Sequence, residues 1–145
     1  YKGEKPWGIK VDIAMPCATQ NEIGIKEAKQ IIANGTKYYI EVANMPTTEE
    51  ALNFLIDRKE VIVAPSKAVN AGGVCVSGLE MSQNSQRLSW TAEEVDEKLH
   101  NAMINIHKHS VEAAEKYGLG YDLVAGANIA GFEKVAEAMM AQGIY

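Results

Sequence analysis

Val61-Ile62-Val63-Ala64-Pro65 is an unbroken apolar run closed by a proline, and its reading decides the fold. A short run of this kind, without alternation, is the pattern of a strand buried on both faces, as in parallel sheets. Working back along the chain, Tyr38 to Val42 has the β-branched and aromatic content of another strand. Val11-Asp12-Ile13-Ala14-Met15, closed by Pro16, makes a third. Helical patterns separate them. Ile25, Ala28 and Ile32 recur at helical spacing, and Asn34-Gly35 is a C-terminal stop. Thr47 and Glu50 have capping-box spacing ahead of Ala51-Leu52-Asn53-Phe54-Leu55-Ile56. Strands alternating with helices predict a parallel sheet with right-handed crossovers.

From about Asn70 onward the pattern changes to three helices. The first runs from near Asn70 to around Leu88. The second opens on a capping box, Thr91 and Glu94, and carries Val95, Leu99, Met103 and Ile106 on one stripe. The third follows the Gly118/Gly120 loop, carries Ile129, Phe132, Val135, Ala136 and Met139, and stops at Gly143. The expected fold is therefore α/β: about three strands of a Rossmann-like parallel sheet, then three C-terminal helices. Residues 1–68 read as the second half of a dinucleotide-binding domain. Residues 69–145 read as a helical segment that faces the cleft and packs on the sheet. No G-x-G-x-x-G turn occurs, although such a half-fold normally opens with one. Three strands alone also leave unpaired edges, so the chain reads as one piece of a longer polypeptide.

Composition excludes several classes. Hydrophobic residues make up 47% and charged residues 23% of 145, the balance of a globular protein. A net charge of −5 argues against nucleic acid, whose binders need a basic surface. No apolar run approaches the roughly 18 residues that span a bilayer, and Tyr1-Lys2-Gly3-Glu4-Lys5 lacks the apolar core of a signal peptide. Cys17 and Cys75 read as reduced thiols, which fits a cytoplasmic location. His107 and His109 would point to different faces of a helix, so with His100 they read as solvated or packed side chains rather than a metal site.

Ligands of open parallel sheets bind beyond the carboxyl ends of the strands. Those ends lead into Cys17-Ala18-Thr19-Gln20-Asn21, Ala43-Asn44-Met45-Pro46-Thr47 and Pro65-Ser66-Lys67. Together they offer a neutral, hydrogen-bonding rim suited to ribose and carboxamide. Taken singly, Asn44 and Thr47 read as turn and cap residues. In Asn70-Ala71-Gly72-Gly73-Val74-Cys75-Val76-Ser77-Gly78-Leu79-Glu80, Asn70, Val74 and Ser77 are four and three apart, hence on one helical face. Each helical glycine costs about 1 kcal/mol and needs a reason. Two readings stand level: a small amphipathic pocket wall, or a small-residue helix packed tightly on the sheet with Ser77 bonded to its own backbone.

These segments resemble the small hexameric glutamate dehydrogenases. The likeness runs through Pro16-Cys17-Ala18-Thr19-Gln20-Asn21-Glu22, Ala43-Asn44-Met45-Pro46-Thr47-Thr48, Ala64-Pro65-Ser66-Lys67-Ala68-Val69-Asn70-Ala71-Gly72-Gly73-Val74 and Ser77-Gly78-Leu79-Glu80-Met81-Ser82-Gln83-Asn84. It continues through Leu88-Ser89-Trp90 and Gly126-Ala127-Asn128-Ile129-Ala130-Gly131-Phe132, covering nearly the whole chain in order. The resemblance implies reversible oxidative deamination of L-glutamate to 2-oxoglutarate and ammonia, with NADP as coenzyme and NAD as the alternative, in a homo-hexamer. Carried over by position, Ser77 resembles the hydroxyl that binds the substrate side-chain carboxylate, and Val74 the apolar contact beside it. Asn70 is similar to the amide near nicotinamide and substrate, and Asn44 to the residue that meets the nicotinamide ribose. Ala18, Thr19 and Asn21 resemble residues lining the coenzyme side of the cleft.

In that family a lysine from the other domain balances the carboxylate, and the catalytic lysine and aspartate lie there too. The likeness therefore implies no catalytic residue within this chain and inactivity of the 145 residues alone. Lys67 matches a loop position and takes none of these roles. Cys75 and Val76 depart mildly from the family, leaving Ser77 in register. Two rivals are a dehydrogenase for an apolar amino acid, against which Ser77 speaks, and a non-catalytic nucleotide-binding or assembly fragment.

Overall fold

The computed structural model describes residues 3–143. The chain divides into two compact units, Tyr1–Asn70 and Ala71–Tyr145. In the first, β1 (Ile13–Ala14), β2 (Tyr38–Ile40) and β3 (Ile62–Ala64) form a parallel sheet in chain order. All three strands are shorter than their apolar runs. The crossovers are α1 (Ile25–Ala33) and α2 (Glu49–Ile56).

Register explains what these elements bury. Ala14 pairs with Tyr39 and Tyr39 with Val63; Ile13 pairs with Tyr38 and Tyr38 with Ile62. Successive side chains point to opposite faces, so the two rows lie on different sides of the sheet. Ala14, Tyr39 and Val63 are buried, whereas Ile13, Tyr38 and Ile62 are 50%, 44% and 37% exposed. Two right-handed crossovers stepping in the same direction place both helices over one face. Their Ala28, Ile31, Ala51 and Leu55 are buried with the inward row. The expectation that the Val61–Ala64 run is buried on both faces is thus met on one side only, because the unit's two crossover helices both cover the same side.

Helix ends follow local chemistry. The Glu27 carboxylate accepts from the Gly24 amide at 3.0 Å and pairs with Lys5 at 3.1 Å. Gly35, at φ +72°, ends α1 where Asn34-Gly35 was expected to. The Thr47–Glu50 capping box does not form. The N-cap of α2 is Thr48, which makes no side-chain capping bond. Thr47 is buried instead, with its Oγ1 2.6 Å from the hydroxyl of the fully buried Tyr39. A buried phenol needs a partner, whereas an exposed helix end can use water. After β3 comes a single turn, α3 (Ser66–Val69), which the sequence reading lacks.

The second unit is helical: α4 (Ala71–Gln86), α5 (Ala92–Lys116) and α6 (Leu123–Gln142). The α5 capping box forms as expected. Thr91 Oγ1 accepts from the Glu94 amide at 3.2 Å, and Glu94 Oε2 accepts from the Thr91 amide at 2.7 Å. Val95, Leu99, Met103 and Ile106 are half-buried along one stripe. Asp122 caps α6 by accepting from the Val124 and Ala125 amides at 3.0 and 2.9 Å. At Gly126, helices α5 and α6 approach so closely that a Cβ would stand 1.9 Å from the Ser110 carbonyl oxygen. The outer stripe of α6, Phe132, Val135 and Met139, is exposed. Among the described residues no helix is long and apolar enough to cross a membrane.

Candidate functional site

The loops that follow β1 and β2 are bound together by backbone. The Pro16 carbonyl accepts from the Val42 amide at 3.2 Å and the Ala43 amide at 2.9 Å. Farther out, Asn21 N–H donates to Met45 O at 3.0 Å, Ile23 N–H to Pro46 O at 2.9 Å, and Thr48 N–H to Ile23 O at 2.9 Å. Residues 21–23 and 45–48 therefore run as a short parallel ladder past the sheet, bridged at Ile23 and Thr47. Its entry requires two left-handed residues, Asn21 at φ 53° and Met45 at φ 47°. Asparagine adopts this conformation readily; methionine pays about 1–2 kcal/mol for it. Ala18, Thr19, Asn21 and Asn44 are all exposed on these two loops.

Asn70 Nδ2 donates to Asn44 Oδ1 at 2.7 Å. This contact joins a residue expected at the coenzyme to one expected near the nicotinamide and substrate. It also sets the polarity of what remains. Asn44 keeps both Nδ2 donors, and Asn70 keeps its second N–H and its Oδ1 acceptor, so the pair presents donors and an acceptor, all uncharged. A carboxamide or a ribose hydroxyl satisfies that pattern without adding charge beside a phosphate.

The expected single face of Asn70, Val74 and Ser77 does not form as one helix. Asn70, at φ −87° and ψ 2°, is the C-cap of α3, and α4 begins at Ala71. Its side chain is committed to Asn44, which is the physical reason the face loses its first member. Val74 and Ser77 do share a face of α4. Val74 is 73% exposed, and Ser77 is exposed too, with Oγ donating to the Gly73 carbonyl at 3.1 Å. Of the two readings of this glycine-rich stretch, close packing is met at Gly72, where the neighbour is α5. A Cβ on Gly72 would lie 3.2 Å from Leu99 Cδ1 and 3.5 Å from Met103 Sδ, so close packing against α5 explains that glycine. Gly73 and Gly78 meet nothing within 4 Å, so packing does not require them.

Sequence reasoning missed Glu41. It stands just past β2, is 3% exposed, and its Oε2 accepts from the Ser66 amide at 3.1 Å. The signal was present as an acid embedded in Tyr38-Tyr39-Ile40-Glu41-Val42, since buried carboxylates are rare unless partnered. Nearby, burial pushes the Tyr39 hydroxyl well above the usual phenol range, against the lowering effect of its bond to Thr47 and with the carboxylates of Glu41 and Glu22 adding to the rise. Tyr39 therefore acts as a neutral hydrogen-bonding post under the two loops.

Comparisons with known proteins agree with this geometry. The sequence model of a family described as Glutamate/Leucine/Phenylalanine/Valine dehydrogenase matches residues 1–143. An NAD-specific glutamate dehydrogenase of Clostridium symbiosum is 72% identical over 144 residues, 99% of this chain and 32% of that protein. An NADP-specific glutamate dehydrogenase of Escherichia coli (strain K12) is 55% identical over 143 residues, again 99% and 32%. A solved glutamate dehydrogenase structure, 72% identical, superposes with a TM-score of 0.95 over 98% of this chain and 32% of that one. The chain thus spans about a third of the length of the curated relatives it matches.

Proposed function

Because the chain belongs to the glutamate/leucine/phenylalanine/valine dehydrogenase family, we propose that it contributes to a glutamate dehydrogenase, which interconverts L-glutamate with 2-oxoglutarate and ammonia. The observation that carries this reading is 72% identity, across nearly all of the chain, to a protein of that name. The family description also covers leucine, phenylalanine and valine. The exposed Ser77 hydroxyl favours glutamate among these, because an apolar side chain gives a hydroxyl no partner.

Within the proposal, the first unit is part of the dinucleotide-binding domain, and its residues hold the coenzyme. Asn44 and Asn70 orient it through their paired amides, and the exposed Ala18, Thr19 and Asn21 line the adjoining loop. When bound, a nicotinamide dinucleotide supplies the hydride acceptor for glutamate oxidation. The residues fit such a group: the amide pair is neutral, keeps donors and an acceptor unspent, and follows the carboxyl ends of the strands, where open parallel sheets bind nucleotides. Relatives carry NAD-specific and NADP-specific names alike, so either dinucleotide belongs to the proposal. In the second unit, Ser77 donates to the distal carboxylate of the substrate and Val74 packs against its methylenes. A homo-hexamer and a cytoplasmic location complete the reading.

The test is substrate discrimination in the intact protein. Ser77→Ala should lose far more activity on L-glutamate than on norvaline, which lacks the distal carboxylate. Equal loss on both removes Ser77 from the substrate site, and absence of glutamate-dependent coenzyme reduction by the unaltered protein removes the proposal itself.

A further inference from the structure

We propose that Glu41 is a positioning residue that sets the Asn44–Asn70 amide pair, an inference that rests on the reading of that pair as a coenzyme contact. Glu41 lies three positions ahead of Asn44, just past the last residue of β2. Its backbone amide donates to the Ala64 carbonyl at 3.0 Å, and its side-chain Oε2 accepts from the Ser66 amide at 3.1 Å. Main chain and side chain thus grip the same connection, the one from β3 into α3.

That grip is transmitted rigidly. α3 is a single turn in which Ala68 and Val69 N–H both donate to the Pro65 carbonyl and Asn70 N–H donates to the Ser66 carbonyl, each at 3.0 Å. With Ser66 held, one turn of helix fixes where Asn70 begins. Asn44 is held from the other side, because Val42 and Ala43 are tied to the Pro16 carbonyl. The bonds close a ring that runs Glu41, Ser66, Asn70, Asn44 and back along the chain to Glu41, with the amide pair as its outermost link. An apolar side chain would fill a site only 3% exposed without the desolvation a carboxylate suffers. A carboxylate there serves the Ser66 N–H, which as a first-turn amide has no partner within its helix.

Glu41 touches neither ligand in this scheme and acts through Asn70. The experiment is a double-mutant cycle in the intact protein, reading kcat and coenzyme KM for glutamate oxidation, reduced-coenzyme binding by fluorescence, and thermal stability. Glu41→Leu removes the acceptor and should lower kcat/KM for coenzyme by on the order of 10-fold or more, the scale of a modest misplacement of a binding group. Glu41→Gln keeps an acceptor of the same reach and should recover most of that loss. In an Asn70→Ala background, Glu41→Leu should cost less than about twofold more, because residues acting in series do not add.

If Glu41→Leu fails to fold, Ser66→Pro breaks the same link from the other end. Proline is tolerated at the first helical position, and Pro65, at ψ 147°, already has the extended conformation a following proline demands. Its loss should likewise vanish in the Asn70→Ala background. Losses that multiply, a glutamine no better than leucine, or a fall in stability with kinetics unchanged would each overturn the positioning role while leaving an active wild type, and hence the proposed function, intact. An inactive wild type would overturn both.

Discussion

Gly126 is the position where one methyl group should do the most damage. A Cβ there would sit 1.9 Å from the Ser110 carbonyl oxygen, 2.8 Å from its carbon and 3.2 Å from Ala114 Cβ. The first distance is roughly 1.5 Å short of ordinary contact, and the obstacle is the backbone of α5, which cannot rotate aside as a side chain can. Gly126→Ala should therefore force α5 and α6 apart. Overpacking of this kind costs about 1–3 kcal/mol or more, while alanine's helix preference returns about 1 kcal/mol. Gly131, on the same helix, meets nothing within 4 Å, so Gly131→Ala should collect the preference alone and stabilise. The helix preference is common to both and cancels, so the contrast between the two substitutions, about 1–3 kcal/mol or more, should appear in urea unfolding midpoints. Faster hydrogen exchange in α5 near Ser110 should accompany Gly126→Ala only. A Gly126→Ala protein as stable as Gly131→Ala would refute the close approach of the two helices.

Tyr39→Phe strands the buried Thr47 hydroxyl, now 2.6 Å from the phenol, and should cost about 1–2 kcal/mol in urea unfolding; an unchanged midpoint would mean Thr47 finds another partner. Thr91→Ala should cost about 1 kcal/mol, because the α5 box is formed, and Thr48→Ala clearly less, because the α2 cap bond is not; thermal melts of the pair would expose a reversed order. Burial alone would raise the Glu27 pKa, but Lys5 together with the Glu27 and Gly24 amides outweighs it and holds the carboxyl below the ordinary 4.5. A lowered pKa means stability that is present above the unfolded value and lost as pH falls through the folded one. Glu27→Gln should thus lower the melting temperature near neutral pH, and the gap should close as the pH falls through the lowered folded pKa; a constant offset at all pH values would contradict the charge-based account.

What the sequence disclosed follows from which forces act locally. Alternating strands and helices, the Asn34-Gly35 stop and the Thr91–Glu94 box depend on neighbours within a few residues, and they appear in the structure at the expected places. The Thr47–Glu50 box fails because a residue eight positions away, Tyr39, competes for the same hydroxyl. Asn70 leaves the helix reading for a similar reason: its partner, Asn44, is 26 residues distant. The site shows the same division. Residue types along the strand ends were legible as a neutral rim, but the pairing of Asn44 with Asn70 needs β2 and β3 side by side. An acid inside an apolar strand run marks Glu41 as unusual, but its partner is a backbone amide, and no side-chain pattern announces one.

The Ser77 hydroxyl carries one proton, and that proton is now given to the Gly73 carbonyl at 3.1 Å. Binding a substrate carboxylate requires the hydroxyl to turn and donate outward. Giving up a neutral bond costs about 0.5–1.5 kcal/mol, and Gly73 is exposed, so water can serve the carbonyl afterwards. A bond to a charged acceptor contributes about 1.5–3 kcal/mol, so the exchange is favourable by about 1 kcal/mol or somewhat more. An apolar substrate offers no acceptor, and the hydroxyl then stays on Gly73. On the proposed reading, the serine thus discriminates without attracting everything. Ser77→Ala should reduce the ratio of kcat/KM for glutamate to that for norvaline by about 5- to 15-fold, at 1.4 kcal/mol per tenfold, while helix stability barely changes because the lost bond is exposed. A ratio altered by less than about twofold would show that the proton never leaves Gly73.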